Sequence, residues 1–215
     1  MLPWEKTEAE DITTEPRIRR QAMSAQARKM MARMFLDLLE DNDPEDILAR
    51  PQGRRARVLS RRHLAQDWSD KTTKQSLLAG WEAFESDCDD ELQASGDGEP
   101  VEQLCDDIAT ALGMKPIEAM LLRLATHAVR NQDLETTLEL TGECEDHEAA
   151  SLFASMLGLD WCDVLCALHS PNPFRALGVQ EVMTRRHTPS KFLAFPEQVA
   201  RVTRAFTDAG ILVHA

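Results

Sequence analysis

Cysteines and histidines in two short groups supply the best candidates for metal chemistry in this chain. The first group is Cys144-x2-His147, and the second is Cys162-x3-Cys166-x2-His169. The second group falls on one face of a predicted helix at steps of four and three, and thiolates with an imidazole suit zinc. The Cys-x2-Cys knuckle is missing, however, and cysteines four residues apart on a helix are often packing residues. Packing is the favoured interpretation, with zinc on Cys162, Cys166 and His169 as the alternative.

The motifs of the common enzyme classes are missing from the sequence. It has no Gly-x-x-x-x-Gly-Lys-Ser/Thr phosphate loop, no Gly-x-Gly-x-x-Gly fingerprint, no Gly-x-Ser-x-Gly elbow and no His-Glu-x-x-His pair. Its many carboxylates lie in charged helical segments, and no two of them stand out as a general acid and base. The sequence therefore predicts that the chain is not an enzyme and has no cofactor.

A basic decamer at 54–63 is the most cationic stretch of the chain. Its arginines are Arg54, Arg55, Arg57, Arg61 and Arg62. Such a segment is typical of a contact to RNA, DNA or an acidic partner. It also has an acidic counterpart in the same chain, so the favoured interpretation is an exposed segment that pairs with the protein's own acidic middle.

The formal charge of −13 is concentrated in the middle of the sequence. Residues 1–75 have a net charge of +2, residues 76–160 of −17, and residues 161–215 of +2. Phosphate binding depends on cationic contacts, so the middle third repels nucleic acid. Any nucleic-acid contact must therefore come from the two ends of the chain, and the acidic faces keep the protein soluble.

Residues 150–169 have the pattern of a helix-turn-helix. Such a unit needs a small residue where the helices cross, Gly at the turn and a β-branched anchor in the second helix. Ala154, Gly158 and Val164 meet these needs, and Asp160 can cap the second helix. The apolar supports are Phe153, Leu157, Leu159 and Leu168.

The outward face of that second helix predicts a protein partner rather than DNA. It would carry Trp161, Cys162, Asp163, Cys166 and His169, with no Arg or Lys. Helices that read the major groove present cations to the phosphates and Arg, Lys, Asn or Gln to the bases. We therefore take Trp161, Asp163 and His169 as the candidate partner-binding residues.

A wing is predicted after the helix-turn-helix, which makes 145–210 a winged-helix-like unit. Residues 174–183 and 191–195 have the pattern of two strands joined by a polar turn, a small β-hairpin, and Pro196 opens a last helix. Arg185, Arg186 and Lys191 would lie at the wing tip. With the basic decamer, they define the alternative function, a winged-helix nucleic-acid binder.

Helical periodicity dominates the rest of the chain, so the predicted fold class is mainly α, a multi-helix bundle. Helices are expected from Arg17 to about Glu40, from about Lys71 to Leu92, and at 101–112, 116–130 and 133–140. The first of these has an apolar face of Ala27, Met31, Met34, Phe35 and Leu38. Pro44 and Pro116 suit the first turns of helices, and Gly113 and Gly142 suit left-handed C-terminal caps. The predicted organisation is a flexible acidic arm (1–14), an N-terminal helical region (15–94), a linker (95–100) and a helical domain (101–215).

The composition predicts a cytoplasmic protein. No stretch approaches the roughly 20 apolar residues that a membrane span needs. The start lacks a secretory pattern, and the five cysteines, an odd number, are expected to be reduced thiols. We therefore expect no membrane partner.

From about Gly113 to Phe206 the chain resembles the accessory region that precedes the ATPase core in a group of bacterial AAA+ ATPases. The segments that carry the resemblance are LGMKPIEAMLL at 112–122, AASLFASMLGL at 149–159, VLCAL at 164–168, FRALGV at 174–179 and LAFP at 193–196. The resemblance implies a helical, winged-helix-like module that handles partners or assembly. Its partner would be an AAA+ ATPase core or its oligomer, and no ATP-binding residue can be carried over. The predicted function is a noncatalytic protein-interaction or regulatory module.

Overall fold

The computed structural model describes residues 23–65, 68, 72–95 and 100–169, and over these residues it is helical, without a β-strand. The helices are α1 (Ala25–Asp41), α2 (Pro44–Ala49), α3 (Gly53–Leu64), α4 (Lys74–Ser95), α5 (Pro100–Ala111), α6 (Pro116–Arg130), α7 (Gln132–Leu138), α8 (Asp146–Leu157) and α9 (Trp161–His169), with a short 3-10 helix at Glu139–Thr141. The mainly α class is confirmed. The predicted arm at 1–14 and the predicted wing and hairpin at 174–195 lie outside these residues. No helix within them is long and apolar enough to cross a membrane.

The first helix begins at Ala25, so the predicted start near Arg17 is wrong. Ser24 has an extended backbone, and its Oγ accepts a hydrogen bond from the Ala27 N–H at 3.1 Å. This cap satisfies a backbone donor that the first turn leaves unpaired, and it fixes the boundary. The predicted apolar face is confirmed, because its members are buried: Ala27, Met31, Met34, Phe35 and Leu38.

Helices α1 and α4 form the central pair, and they run antiparallel. Three ion pairs join them in reversed order along the chain: Arg28 with Glu91, Lys29 with Asp89, and Arg33 with Glu85. Beneath these pairs, the ring of Phe35 stacks on Trp81 with centroids 4.2 Å apart, and the edge of Trp68 approaches Phe35 at 6.4 Å. Aromatic burial supplies the apolar contact, and the partly buried ion pairs set the orientation.

Helices on both sides of the predicted linker share one hydrophobic core. Met31 and Phe35 of α1, Trp81 of α4, Leu124 of α6 and Phe153 of α8 belong to the same buried cluster. Residues 96–99 lie outside the described part, so the division of the chain at 95–100 stays a prediction. The packing nevertheless means that the helices before and after this segment stabilise one another.

The capping glycines were predicted with mixed success. Gly113 has the expected positive φ of 62° after α5. Gly142 also has a positive φ, 76°, but its ψ of −151° lies outside the left-handed helical region, so a left-handed cap there is wrong. The reason is that the 3-10 helix at Glu139–Thr141 tightens the last turn and closes it with the Gly142 N–H on the Glu139 carbonyl, at 3.1 Å.

Replacing Asp37 of α1 by asparagine is expected to raise the free energy of unfolding at pH 7 by about 0.5 kcal/mol, after allowance for solvent screening. Burial raises the pKa of the Asp37 carboxyl, although a hydrogen bond with Ser155 favours its ionised form. Because the folded-state pKa is raised, ionised Asp37 opposes folding. This opposition is full above the folded-state pKa, declines as the pH falls below it, and is gone below the ordinary value of 3.8. Urea unfolding at several pH values measures the effect.

The matched control is Asp90→Asn at an exposed position of α4. It should leave the free energy of unfolding unchanged at pH 7. A stability gain for Asp37→Asn that persisted at a pH where Asp37 is protonated would contradict the assignment, since both chains are then neutral at that position.

Candidate protein-interaction surface

The predicted sequence of helix, glycine turn and helix is present at α8 and α9. Gly158 has the left-handed conformation (φ 68°, ψ 41°), and the Leu159 N–H donates to the Ala154 carbonyl at 2.9 Å. Asp160 caps α9 as predicted, because its carboxylate accepts the Cys162 N–H at 2.8 Å. The wing that would complete a winged helix lies outside the described residues.

Helix α9 is anchored through one apolar face. Val164, Ala167 and Leu168 are buried in the core with Phe153 and Ala154 of α8. These contacts fix the rotation of α9 about its axis, since a 3.6-residue period places the remaining residues on the opposite side. The predicted β-branched anchor and the small crossing residue therefore occupy the expected positions.

The opposite face of α9 is exposed and has Trp161 at its N-terminal end. Trp161 is 49% exposed. Cys162, Asp163, Cys166 and His169 are exposed on the same helix. A half-exposed Trp on an anchored helix is notable because most large aromatic side chains are largely covered in a folded protein. Nε2 of His169 lies 3.3 Å from a carboxylate oxygen of Asp146, which ties the end of α9 to the start of α8.

The surroundings of Trp161 are anionic. Residues 131–169 contain nine Asp or Glu and no Lys or Arg. Asp160 and Asp163 flank Trp161 in the sequence, and both are exposed. Arg33 of α1 lies against the turn at Gly158, but its Nε is already paired with Glu85 at 2.7 Å. This end of α9 therefore combines an apolar side chain with negative charge, which suits a cationic protein surface.

The basic decamer lies on α3, and part of it pairs with the protein's own acidic residues. Arg55 pairs with Glu139, and Arg62 pairs with Asp133. His63 also approaches Asp133, at 3.1 Å, and burial lowers the pKa of its imidazole. For these side chains, the predicted pairing with the acidic middle is confirmed.

Other arginines of α3 point away from the core. Arg54, Arg57 and Arg61 are exposed, and they surround Val58, which is 47% exposed. Within the described part of the chain, Arg54 and Arg61 have no ion pair. The wing residues Arg185, Arg186 and Lys191 lie outside that part, so a shared surface with α3 stays a prediction.

The cysteine and histidine groups do not form a metal site in the described residues. Nowhere in 23–65, 68, 72–95 or 100–169 are three His, Cys, Asp or Glu side chains placed to hold one ion. Cys144 is buried, whereas Cys162 and Cys166 are exposed, and the His169 ring is engaged by Asp146. The alternative of zinc on Cys162, Cys166 and His169 is therefore not supported, because the helical face carries the three residues without converging their donor atoms.

A buried polar group that the sequence did not reveal joins α1, α5 and α6. His127 is 4% exposed, its Nε2 lies 2.7 Å from Glu102, and its Nδ1 lies 3.5 Å from the Ser24 Oγ. Arg123 holds the other oxygen of Glu102 at 3.1 Å and also pairs with Asp106. The order serine, histidine, carboxylate is that of a hydrolase, but here the Ser24 Oγ caps α1 and Arg123 holds the carboxylate. Through these contacts the group joins the start of α1 to α5 and α6.

An open groove between α5 and α6 has a volume of about 460 Å³. Its lining includes Ala109, Thr110, Met114 and Met120, with Asp106 and Arg123 at its edge. Arg123 is already paired with Asp106 and Glu102, so the groove offers no free cation to an anionic ligand. Most of its lining is apolar, and the one carboxylate in the lining, Asp106, is paired with Arg123.

No family model, curated protein or solved structure matches this chain. The resemblance to the accessory region of AAA+ ATPases therefore depends on the sequence segments alone. The candidate surface depends on the geometry of α3 and α9.

Proposed function

We propose that this chain is a noncatalytic protein-interaction module that contacts its partner through the N-terminal end of α9, with Trp161 at the centre and Asp163 beside it. The observation that carries the proposal is the half-exposed Trp161 on a helix whose other face is locked in the core. His169 contributes to the end of the same face, although Asp146 already holds it. A regulatory role is part of the proposal, because such a module acts by recruiting or positioning another protein.

The energetics of Trp161 support a binding role. About half of a Trp surface of roughly 250 Å² remains in water, so covering it stabilises a complex by roughly 3 kcal/mol at about 25 cal/mol per Å². The helix is anchored before binding, so little backbone entropy is lost. A buried Trp ringed by less important contacts is the common composition of an interface hot spot.

The charge around Trp161 defines the chemistry of the partner. A complementary surface would offer an apolar pocket with Lys or Arg at its rim, because the exposed Asp160 and Asp163 lie within two residues of Trp161 in the sequence. We propose that this surface belongs to an AAA+ ATPase core or its oligomer, and the support for that identity is the sequence resemblance. The support for a protein partner in general is the exposed apolar and acidic face.

Photo-crosslinking from position 161 tests the proposal. With p-benzoylphenylalanine in place of Trp161, we expect the full chain to form, in its own cells, an adduct with one protein that mass spectrometry identifies. The purified form of that protein should bind the native chain and bind Trp161→Ala at least about tenfold more weakly. The reason is that alanine removes most of the apolar surface that the partner covers.

The matched control places the same photo-reactive residue at Glu82, which is exposed on α4. Adducts that form equally from both positions would count against a specific surface at α9. Unchanged affinity of Trp161→Ala for the identified protein would overturn the proposal, provided that circular dichroism shows the variant to be folded.

A second candidate function is a winged-helix nucleic-acid binder that uses the basic segment 54–63 and the wing at 185–191. The observation that favours it is the exposure of Arg54, Arg57 and Arg61 on the outer side of α3. Against it, Arg55 and Arg62 already pair with carboxylates of this chain, and the α9 face lacks cations. The mark of such a function is binding to DNA or RNA that weakens steeply with salt.

A further inference from the structure

Two exposed apolar side chains of this protein lie in surroundings of opposite charge. Val58 of α3 is 47% exposed and lies among arginines, and Trp161 of α9 is 49% exposed and lies among carboxylates. We call the first the α3 arginine face, which consists of Arg54, Arg57, Val58 and Arg61. We call the second the α9 tryptophan face, which consists of Asp160, Trp161 and Asp163. The two faces are complementary, because each has an exposed apolar side chain and their charges are opposite.

We infer that the partner of the α9 tryptophan face is a second copy of this chain, which presents its α3 arginine face. This inference rests on the proposed function, since it concerns the same contact surface around Trp161. It gives that surface a different occupant from the AAA+ ATPase core that the sequence resemblance implies, and the two occupants would compete for it. In the contact, the Trp161 indole covers Val58, arginine guanidinium groups pack on the indole face, and their charges lie near Asp160 and Asp163. Arginine over a Trp ring is a favourable cation–π arrangement.

The spacing of the arginine face fits one indole. Arg54 and Arg61 are seven residues apart, which places them on the same side of α3 and about 10 Å from each other along the helix. Val58 lies between them at the i, i+4 position. A flat ring centred on Val58 therefore has a cation on either side of it.

The two faces belong to different parts of one molecule. Helix α3 packs on α2, α4, α7 and the 3-10 helix, whereas α9 packs on α8 and α6. Within one chain the carboxylates of Asp133 and Glu139 already take Arg62 and Arg55. Arg54 and Arg61 have no such partner among the described residues, and their charge is complementary to that of Asp160 and Asp163.

A contact between unlike faces gives head-to-tail assembly. Each copy presents one face of each kind, so a dimer retains a free face at either end and can add further copies, closing into a ring or extending as a chain. Each face consists of only three or four side chains, and a contact this small suits a weak association that depends on concentration. The net charge of −13 makes two copies repel each other at long range. Salt screens this repulsion as well as the attraction between the two faces, so the salt dependence of association is ambiguous. Variants of the two faces therefore provide the test.

Sedimentation velocity over a concentration series, with the full chain, tests the inference. We expect the native chain to associate progressively. The arginine-face variant (Arg54→Glu with Arg61→Glu) and the tryptophan-face variant (Trp161→Ala with Asp163→Asn) should each stay monomeric. An equimolar mixture of the two variants should form a dimer and nothing larger, because the mixture holds one intact face of each kind.

A charge-matched control is Lys74→Glu with Lys115→Glu, which changes the net charge as the arginine-face variant does but outside both faces; Lys115 is exposed, and Lys74 is half-buried, with its Nζ donating to the Glu40 carbonyl at 2.9 Å. It should associate like the native chain, and circular dichroism should show all variants to be folded. The native chain staying monomeric at every concentration would overturn the inference. The proposed function would still stand if position 161 crosslinks to a different protein.

Two further outcomes also decide against it. If the native chain associates but the mixed variants do not, the interface uses like faces or other surfaces, and the inference is wrong. If added single- or double-stranded DNA or RNA binds the monomeric native chain, and the arginine-face variant loses that binding, then α3 is a nucleic-acid contact. A crosslink from position 161 to residues 54–61 of another copy would support the inference directly.

Discussion

Replacing Phe35 by alanine should lower the free energy of unfolding by about 3–5 kcal/mol. Phe35 has no exposed surface, it stacks on Trp81 with the ring planes 7° apart, and the edge of Trp68 approaches it. Alanine would remove the ring from the contact between α1 and α4 and leave a cavity that the surrounding helices cannot fill. Urea unfolding followed by Trp fluorescence measures the loss, since Trp81 reports on the same contact.

The same measurement tests whether the protein unfolds as one unit. Because Phe35 shares a core with Leu124 and Phe153, helical circular dichroism and Trp fluorescence should be lost together in native chain and variant. Leu112→Ala is the control, because Leu112 is 38% exposed and its loss should change the free energy of unfolding by no more than about 0.5 kcal/mol. A loss below 1 kcal/mol for Phe35→Ala, or two separate transitions, would show that the helices do not depend on this contact.

Local signals were enough to predict most helices, because residues that restrict or permit particular backbone angles lie at several of the helix boundaries. Pro44 and Pro116 open α2 and α6 as predicted, since proline fixes φ and needs no hydrogen-bond partner in the first turn. Gly158 ends α8 because it adopts the left-handed conformation without strain. Apolar periodicity correctly indicated the buried side of α1 and of α9.

Competition between local signals explains the wrong boundary of α1. Residues 17–24 contain no Gly or Pro, so periodicity alone predicted a helix that begins too early. Ser24 offers a side-chain acceptor that caps the first turn and so marks the N-terminus of α1. The sequence does contain this signal, because Ser is a preferred residue at helix starts. Whether a helix begins at this serine also depends on tertiary packing, since the Ser24 Oγ lies 3.5 Å from Nδ1 of His127, which is 103 residues away.

The outward residues of α9 could be predicted from the sequence, whereas the ion pairs that α3 makes with distant residues could not. Helical period alone placed Trp161 and Asp163 outward, because Val164 and Leu168 had to be inward. The charge of α3 indicated pairing with the acidic middle, but it could not tell that Arg55 pairs with Glu139 while Arg54 has no ion pair within the described residues. That choice depends on how α3 is rotated against α7, a tertiary property that no nearby residue specifies.

Replacing Gly158 by alanine should lower the free energy of unfolding by about 1–2 kcal/mol and weaken whatever contact Trp161 makes. Gly158 has φ 68°, which strains any residue with a Cβ, and an added Cβ would lie 2.6 Å from Nη1 of Arg33. That atom is the far end of a flexible side chain, so a shift of the Arg33 guanidinium relieves the clash, and backbone strain is expected to supply most of the loss. Chemical unfolding and the affinity of the identified partner measure the two effects.

Two companion variants separate the sources of the Gly158→Ala effect. Gly158→Asn keeps a side chain but tolerates the left-handed conformation better, so it should lose less stability than alanine if backbone strain dominates. In an Arg33→Ala background, the loss caused by Gly158→Ala should shrink by the part that the clash contributes. If alanine and asparagine are equally destabilising and Arg33→Ala changes nothing, neither strain nor the clash holds this turn. In that case the predicted effect of the turn on Trp161 is also wrong. That effect requires the conformation at Gly158 to set the direction in which α9 begins.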